Sequence, residues 1–289
     1  MNKKISNHER AEVLTQALPY IRRYSGKIVV VKYGGNAMTD EQLKQQVMED
    51  IVLLWLIGVN VVLVHGGGPE ISDTMQALGK EPEWIDGLRV TDAETADIVQ
   101  MVLAGKVNKT LVGLLQAQGG NAMGICGIDG GLIRVRQKDP RLGYVGEITE
   151  INLSPIIDLL EDGYIPVVST LGVDETGSTY NINGDTAAAF IAGALQAERL
   201  ILMTNINGIR RDESDPDSLI TGITVDEARS LQDEGIVTGG MIPKVECCVD
   251  AIESGVQSVV ILDGRIPHSL LMELLTDEGA GTMILPNRE

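Results

Sequence analysis

Two glycine clusters, each directly behind a run of β-branched residues, constrain this chain more than any other feature: Lys27-Ile-Val-Val-Val-Lys32-Tyr33-Gly34-Gly35-Asn36 and Val59-Asn-Val-Val-Leu-Val-His65-Gly66-Gly67-Gly68-Pro69. Short continuous Val/Ile runs mark strands buried on both faces of a parallel sheet. Consecutive glycines at their carboxyl ends let the backbone approach an anion and offer it N–H groups. A potentially helical segment follows each cluster, so a helix N-terminus adds its partial positive charge there. Lys32 ends the first strand beside its glycines, a point charge suited to phosphate. One such cluster alone is as well explained by an ordinary βα turn. Two of them with a lysine point to a bound anion. Neither G-x-x-x-x-G-K-[ST] nor G-x-G-x-x-G occurs, which argues against a P-loop NTPase or a dinucleotide-binding domain.

The same strand pattern recurs at 123–126, 166–169, 200–203 and 258–262, after the first two runs at 28–31 and 61–64. Helical periodicity predicts helices over 41–57, 70–78, 93–118, 154–161, 186–195, 225–233, 241–254 and 268–275. The alternation specifies an α/β fold, a three-layer sandwich whose central, largely parallel sheet is covered by helices on both faces. Residues 133–150 turn polar and basic, with Arg134, Arg136, Lys138 and Arg141, which suits a hairpin or flap. Ahead of the first strand, Ala11, Leu14, Leu18 and Ile21 recur at spacings of three and four, an amphipathic helix that Pro19 should kink. No low-complexity linker divides the 289 residues. The expected organisation is a kinked oligomerisation helix in 1–25, an N-terminal lobe for substrate binding and dimerisation in 26–190, and a nucleotide-binding C-terminal lobe in 191–289. The last boundary is inferred from function.

Charge narrows the partners. Lys and Arg number 23 against 41 Asp and Glu, a net −18, which disfavours nucleic acid and anionic membrane. Cations must therefore be concentrated wherever an anion binds, and Lys32, Arg89, Lys106, Lys109 and Lys244 are the candidates. Cys126, Cys247 and Cys248 lack metal-ligand spacing and read as reduced thiols. The N-terminal MNKKISNHER has no apolar leader core, and no segment is expected to match a membrane span. A cytoplasmic protein is the expectation.

Three further segments carry chemistry. Gly87-Leu-Arg89-Val-Thr-Asp92 places an arginine fork in a glycine-led loop, suited to a carboxylate. Asn181-Ile-Asn183-Gly184-Asp185-Thr186 precedes a helix of small residues, where Asp or Asn is expected as N-cap and an Asp can also orient two lysines. Gly239-Gly240-Met241-Ile-Pro-Lys244 opens another helix and supplies the second lysine.

These five segments, in this order and spacing, resemble the amino-acid kinase superfamily, and within it the N-acetyl-L-glutamate kinases of arginine biosynthesis. The resemblance spans residues 11–284. It implies transfer of a phosphoryl group from ATP, brought with Mg2+, to the side-chain carboxylate of N-acetyl-L-glutamate. By motif, Lys32 and Lys244 would neutralise the transferring phosphoryl group and Asp185 would hold both. Gly34, Gly35 and Gly67 would donate to phosphoryl oxygens, while Gly67, Gly68, Arg89 and Asn181 would bind the amino acid. Thr204, Asn205, Gly208, Ile209, Gly239, Gly240 and Met241 would line the nucleotide site. Two departures from the family pattern stand out: Asn205 where Asp is common, and Gly184 where Ala is common. A carboxylate nucleophile is already ionised at neutral pH, its reference pKa being about 4.3, so no general base is needed and His65 is expected to be structural or orienting. Magnesium held by phosphate oxygens requires no dedicated metal cage, so no metal-binding residues are assigned. The two chain ends resemble the arginine-inhibited branch, which implies a hexamer built as a trimer of dimers and an L-arginine site at Tyr20, His268, Glu273 and Gly279. Another amino-acid or carbamate kinase, or a non-catalytic nucleotide-binding sensor of metabolites, are the competing readings.

Overall fold

The computed structural model describes residues 6–212 and 214–287; the first five residues of the expected N-terminal element and the last two of the expected C-terminal lobe lie outside this range. In chain order the strands are β1 (Ile28–Tyr33), β2 (Asn60–His65), β3 (Trp84–Ile85), β4 (Leu88–Arg89), β5 (Ala122–Cys126), β6 (Ile133–Gln137), β7 (Gly146–Ile151), β8 (Ile165–Ser169), β9 (Leu171–Val173), β10 (Thr179–Asn181), β11 (Arg199–Thr204), β12 (Gly222–Thr224), β13 (Val259–Asp263) and β14 (Gly281–Leu285). The helices are α1 (Asn7–Gln16), α2 (Leu18–Tyr24), α3 (Glu41–Leu56), α4 (Gly68–Ala77), α5 (Ala93–Gln100), α6 (Asn108–Ala117), α7 (Ser154–Glu161), α8 (Gly184–Ala194), α9 (Val225–Asp233), α10 (Ile242–Glu253) and α11 (Ser269–Leu275).

Eight strands form one sheet in the order β12-β14-β13-β11-β1-β2-β8-β5. Its pairings are parallel except β13 with β14. All six strands expected from the sequence lie in it. The two it gains are β12, at the edge, and β14, between β12 and β13, neither with a long β-branched run.

Alternation along each strand sends side chains to opposite faces. Val30, Val62, Val64, Leu200, Leu202 and Ile261 pack with α7 to α10 in one cluster. Val29, Val31, Val61, Leu63, Ile201 and Leu262 pack with α3, α6 and α11 in the other. This is the three-layer sandwich the periodicity specifies. The chain leaves β1 toward β2 on one side and later returns to β11 on its other side. In an open α/β sheet, ligands bind at such a switch point, outside the strands' carboxyl ends, and both glycine clusters lie there.

The basic stretch forms the expected flap. β6 and β7 pair antiparallel and join β9 and β10 in a four-stranded sheet, with exposed charges matched as Arg136–Glu147 and Arg141–Asp139.

Two expectations need correction. Residues 8–24 form two helices rather than one kinked helix: the break falls at Ala17, with Pro19 in the first turn of α2, where its missing N–H costs nothing. α1 buries none of its residues, and Leu14 is 73% exposed. The membrane expectation also fails on composition, because the continuous helical rod Ala93–Ala117 has the length and hydropathy of a span. Its apolar stripe (Ile98, Val102, Leu111, Leu115) is buried in the second cluster, as in a core helix.

Candidate active site

Lys32 has the strand parity of Val30, so it projects to the face that α8 covers. α8 comes close because its inward residues are small: Ala187, Ala188 and Ala192 are fully buried. Its N-cap is Asn183, whose side chain accepts from the backbone N–H of Asp185 and Thr186. The capping role therefore falls to Asn183, and the Asp185 carboxylate is released for the lysines.

Asp185 receives both. Lys32 Nζ stands 2.8 Å from Oδ1 and Lys244 Nζ 2.6 Å from Oδ2. The Lys32 contact is an ion pair off the hydrogen-bonding direction, since Oδ1 accepts no aligned hydrogen bond. Burial would raise the Asp185 carboxyl, but the charges of Lys32 and Lys244 and the hydrogen bond from Lys244 outweigh it and hold it well below the usual carboxylate range. Two cations on one carboxylate leave the cluster with an excess positive charge. A β-carbon on Gly34 would come 3.2 Å from Lys32 Nζ, and one on Gly184 3.2 Å from its Cε. Glycine on both sides gives the lysine its channel.

Two cavities lie beside this cluster, the larger lined by Lys244 and the smaller by Gly184; Lys32 and Asp185 line neither. The smaller, of 150 Å3, is lined by Gly67, Gly68, Arg89, Asn181 and Gly184 among others. The Arg89 guanidinium bonds only neutral groups: the Gly68 carbonyl at 3.0 Å, Ser72 Oγ at 2.8 Å and Met75 Sδ at 3.4 Å. Trp84 stacks on it at 4.5 Å. Arg89 is 5% exposed and desolvation lowers its pKa, so the charge is buried without an acidic partner among the described residues. Behind Gly67 the rod Ala93–Ala117 widens into a π-helical stretch over Met101–Val107. It presses Leu103 so near that a β-carbon on Gly67 would lie 2.8 Å from it. Such bulges recur at functional sites.

The larger cavity, of 610 Å3, is lined by Asn205, Gly208, Ile209, Gly239, Gly240, Met241 and Lys244, with Arg210 and Arg265 on its wall. Thr204 does not line it; its hydroxyl bonds Ile206 and the Leu262 carbonyl. Neither Gly34 nor Gly35 lines either cavity.

Other candidates disperse. Lys106 lines a separate cavity with Lys44 and Glu70, and Lys109 bonds Asn108 and the Gly124 carbonyl. His65 is fully buried, its Nδ1 bonding the Gly66 carbonyl and its Nε2 accepting from Asn108. Burial pushes its pKa down to about 4, so it is neutral. The three cysteines are free thiols. Near the chain ends, a 290 Å3 cavity gathers Tyr20, Glu273 and Gly279 with Arg199, Asp277 and Glu278. His268 does not line it; its Nδ1 bonds Asp50 at 2.6 Å. Glu273 is bound internally by Arg199 at 2.9 Å. Sequence reasoning missed Arg199, Asn108 and Arg265. The Asp263-Gly-Arg265 step behind an apolar strand was a usable signal for the last.

The profile of the Amino acid kinase family matches residues 27–263. An acetylglutamate kinase of Clostridium kluyveri is 53% identical over 279 residues, 96% of this chain and 99% of that protein. One of Nostoc sp. is 53% identical over 277 residues, covering 96% and 93%. Among solved structures, N-acetylglutamate synthase from Neisseria gonorrhoeae, complexed with coenzyme A and N-acetyl-glutamate, superposes with a TM-score of 0.85 at 29% identity. That match covers 96% of this chain and 64% of the synthase, so the chain spans under two thirds of the synthase. Carbamate kinase from Giardia lamblia shares the fold at a TM-score of 0.65 and 18% identity, covering 91% of this chain and all of that one.

Proposed function

The chain belongs to the amino acid kinase family and, within it, to the acetylglutamate kinases, and from that premise we propose how its residues divide the work of moving the γ-phosphoryl group of ATP onto the side-chain carboxylate of N-acetyl-L-glutamate. The observation that carries the reading is one buried carboxylate, Asp185, holding two lysines, with Lys244 lining the larger cavity and Gly184, the residue before Asp185, lining the smaller. Phosphoryl transfer needs positioning and charge stabilisation more than covalent help. Lys32 and Lys244 supply charge, and Asp185 keeps their ammonium groups at fixed sites. Arg89, buried without an acidic partner, binds a carboxylate of the amino acid, with Asn181, Gly67 and Gly68 completing that cavity. Gly34, Gly35 and Gly67 offer N–H groups to the phosphoryl oxygens. The larger cavity takes the nucleotide. Mg2+ arrives on the ATP phosphates and neutralises part of their charge; both Asp185 oxygens already face lysines. The acceptor carboxylate is ionised at neutral pH, so neutral His65 has no proton to remove.

On this division residues 26–190 form the substrate lobe and 191–289 the nucleotide lobe of a cytoplasmic enzyme. The test is direct: N-acetylglutamate with Mg-ATP should give an acyl phosphate that hydroxylamine traps. Faster turnover of glutamate, or of carbamate, would overturn the substrate assignment, and ATP binding without turnover would favour a sensor.

Regulation by L-arginine in a hexamer is favoured by two features. α1 exposes Val13 and Leu14 on a helix with no buried residue, and the cavity beside α2 carries acidic side chains. Because Arg199 occupies Glu273, an incoming guanidinium would meet Asp277 and Glu278 at that cavity. Deleting residues 1–25 should leave an active dimer with much weaker inhibition. A full-length protein that sediments as a dimer, or ignores millimolar arginine, would refute this reading alone.

A further inference from the structure

The 610 Å3 cavity carries an arginine that is already aimed. Asp263 ends β13 and is 4% exposed. Its Oδ1 accepts from both the backbone N–H and Nε of Arg265, each at 2.9 Å, and its Oδ2 accepts from Nη2 at 2.8 Å. The turn is tied to β11 as well, since Gly264 N–H donates to the Thr204 carbonyl at 2.9 Å. The residue after Thr204, Asn205, lines the same cavity as Arg265 and Lys244. Half of the arginine side chain, 52%, is exposed, and Nη1 makes no hydrogen bond among the described residues. The pair neutralises the buried Asp263 carboxylate, its side chain 5% exposed, through an arginine that is half exposed. It also sets orientation: one edge of the guanidinium is spent on Asp263, and the planar fork is fixed before any ligand arrives, which removes most of the ordering cost of using the other edge.

We propose that Arg265 is a direct ligand of the nucleotide phosphates, fixed in place by Asp263 and working beside Lys244. The inference rests on the reading that the larger cavity takes ATP, and adds to it the group that grips the polyphosphate away from the transferring end. Arginine suits that task because its donors pair with two phosphate oxygens at once.

The test is calorimetric titration of the full-length protein with ATP, ADP and adenosine. Arg265→Ala should weaken ATP and ADP about 10- to 100-fold, the scale of one or two hydrogen bonds to a charged group, and leave adenosine and N-acetylglutamate binding unchanged. The double variant Asp263→Asn with Arg265→Ala separates contact from neutralisation. It should stay weak if the guanidinium touches phosphate. Recovery of ATP affinity in the double variant would overturn the proposal, because Arg265 would then only mask Asp263. So would an unchanged ATP affinity, or an equal loss for adenosine. If Arg265→Ala does not fold, Arg265→Gln takes its place in the same titrations. Failure of the unaltered protein to bind ATP would overturn the nucleotide reading itself and with it this inference.

Discussion

Two of the carboxylates buried against cations, Asp185 and Glu273, behave oppositely. Asp185 meets two lysines and its pKa falls; Glu273 meets one arginine and its pKa rises, burial outweighing the Ala280 N–H and Arg199. At the first centre the carboxylate is outnumbered, so positive charge is left over, and Lys244 presents it to the larger cavity. At the second the charges are matched, both side chains are 3% exposed, and Ser258 and the Tyr24 ring complete the shell around Arg199. The first arrangement is suited to a multiply charged anion. The second joins β11 to α11 and stabilises only if it stays complete. A surplus of cations sets the Asp185 centre apart, whereas burial alone does not.

The comparison can be broken most forcefully at the matched pair. Arg199→Ala strands a buried carboxylate, and loss of one partner of such a pair costs about 3–5 kcal/mol. Urea unfolding should show that loss with kcat little changed. A large fall in kcat at constant stability would merge the two centres into one functional unit. Lys244→Ala should do the reverse, lowering kcat by on the order of 100-fold or more, about 2.7–4 kcal/mol, the scale of one transition-state donor, with the unfolding midpoint nearly unmoved. Arg89→Ala should act on KM for the amino acid, roughly 10-fold or more, and spare kcat, because its contact is made equally in ground and transition states. Unchanged saturation by the amino acid would remove Arg89 from that cavity's work.

The smallest effect sharpens the rule through a third carboxylate. Asp50 is 1% exposed, and burial pushes it up to about 6 despite the hydrogen bond from His268. Its folded form keeps a proton that the unfolded chain has lost between pH 4 and 6, so stability should fall as pH rises through that window, with a slope of at most about 1.4 kcal/mol per pH unit. Asp50→Asn should flatten that slope in unfolding measured from pH 4 to 6.5. Asp185 has the opposite sign: its depressed pKa keeps its contribution intact at neutral pH and lets it go only in acid.

The parallel core and its helices were legible because they depend on local pattern. Buried strands need runs of Val and Ile, and covering helices need a periodic apolar stripe. α7 and α9 fall where that stripe predicts them, and the Lys32, Asp185 and Lys244 motifs stand at element ends, where strand parity and helix capping direct side chains. β12 and β14 were not legible, since Gly222-Ile-Thr224 is only three residues long and Gly281-Thr-Met-Ile-Leu285 lacks a continuous Val/Ile run. The tertiary structure alone decided that Asn183 caps α8 while Asp185 serves the lysines, that Glu273 is claimed by Arg199 from 74 residues away, and that Asp263 aims Arg265 into the cavity. Each of these is a choice among partners of equal chemistry. Sequence shows which groups can pair, but packing the elements around one sheet determines which of them come within hydrogen-bonding distance.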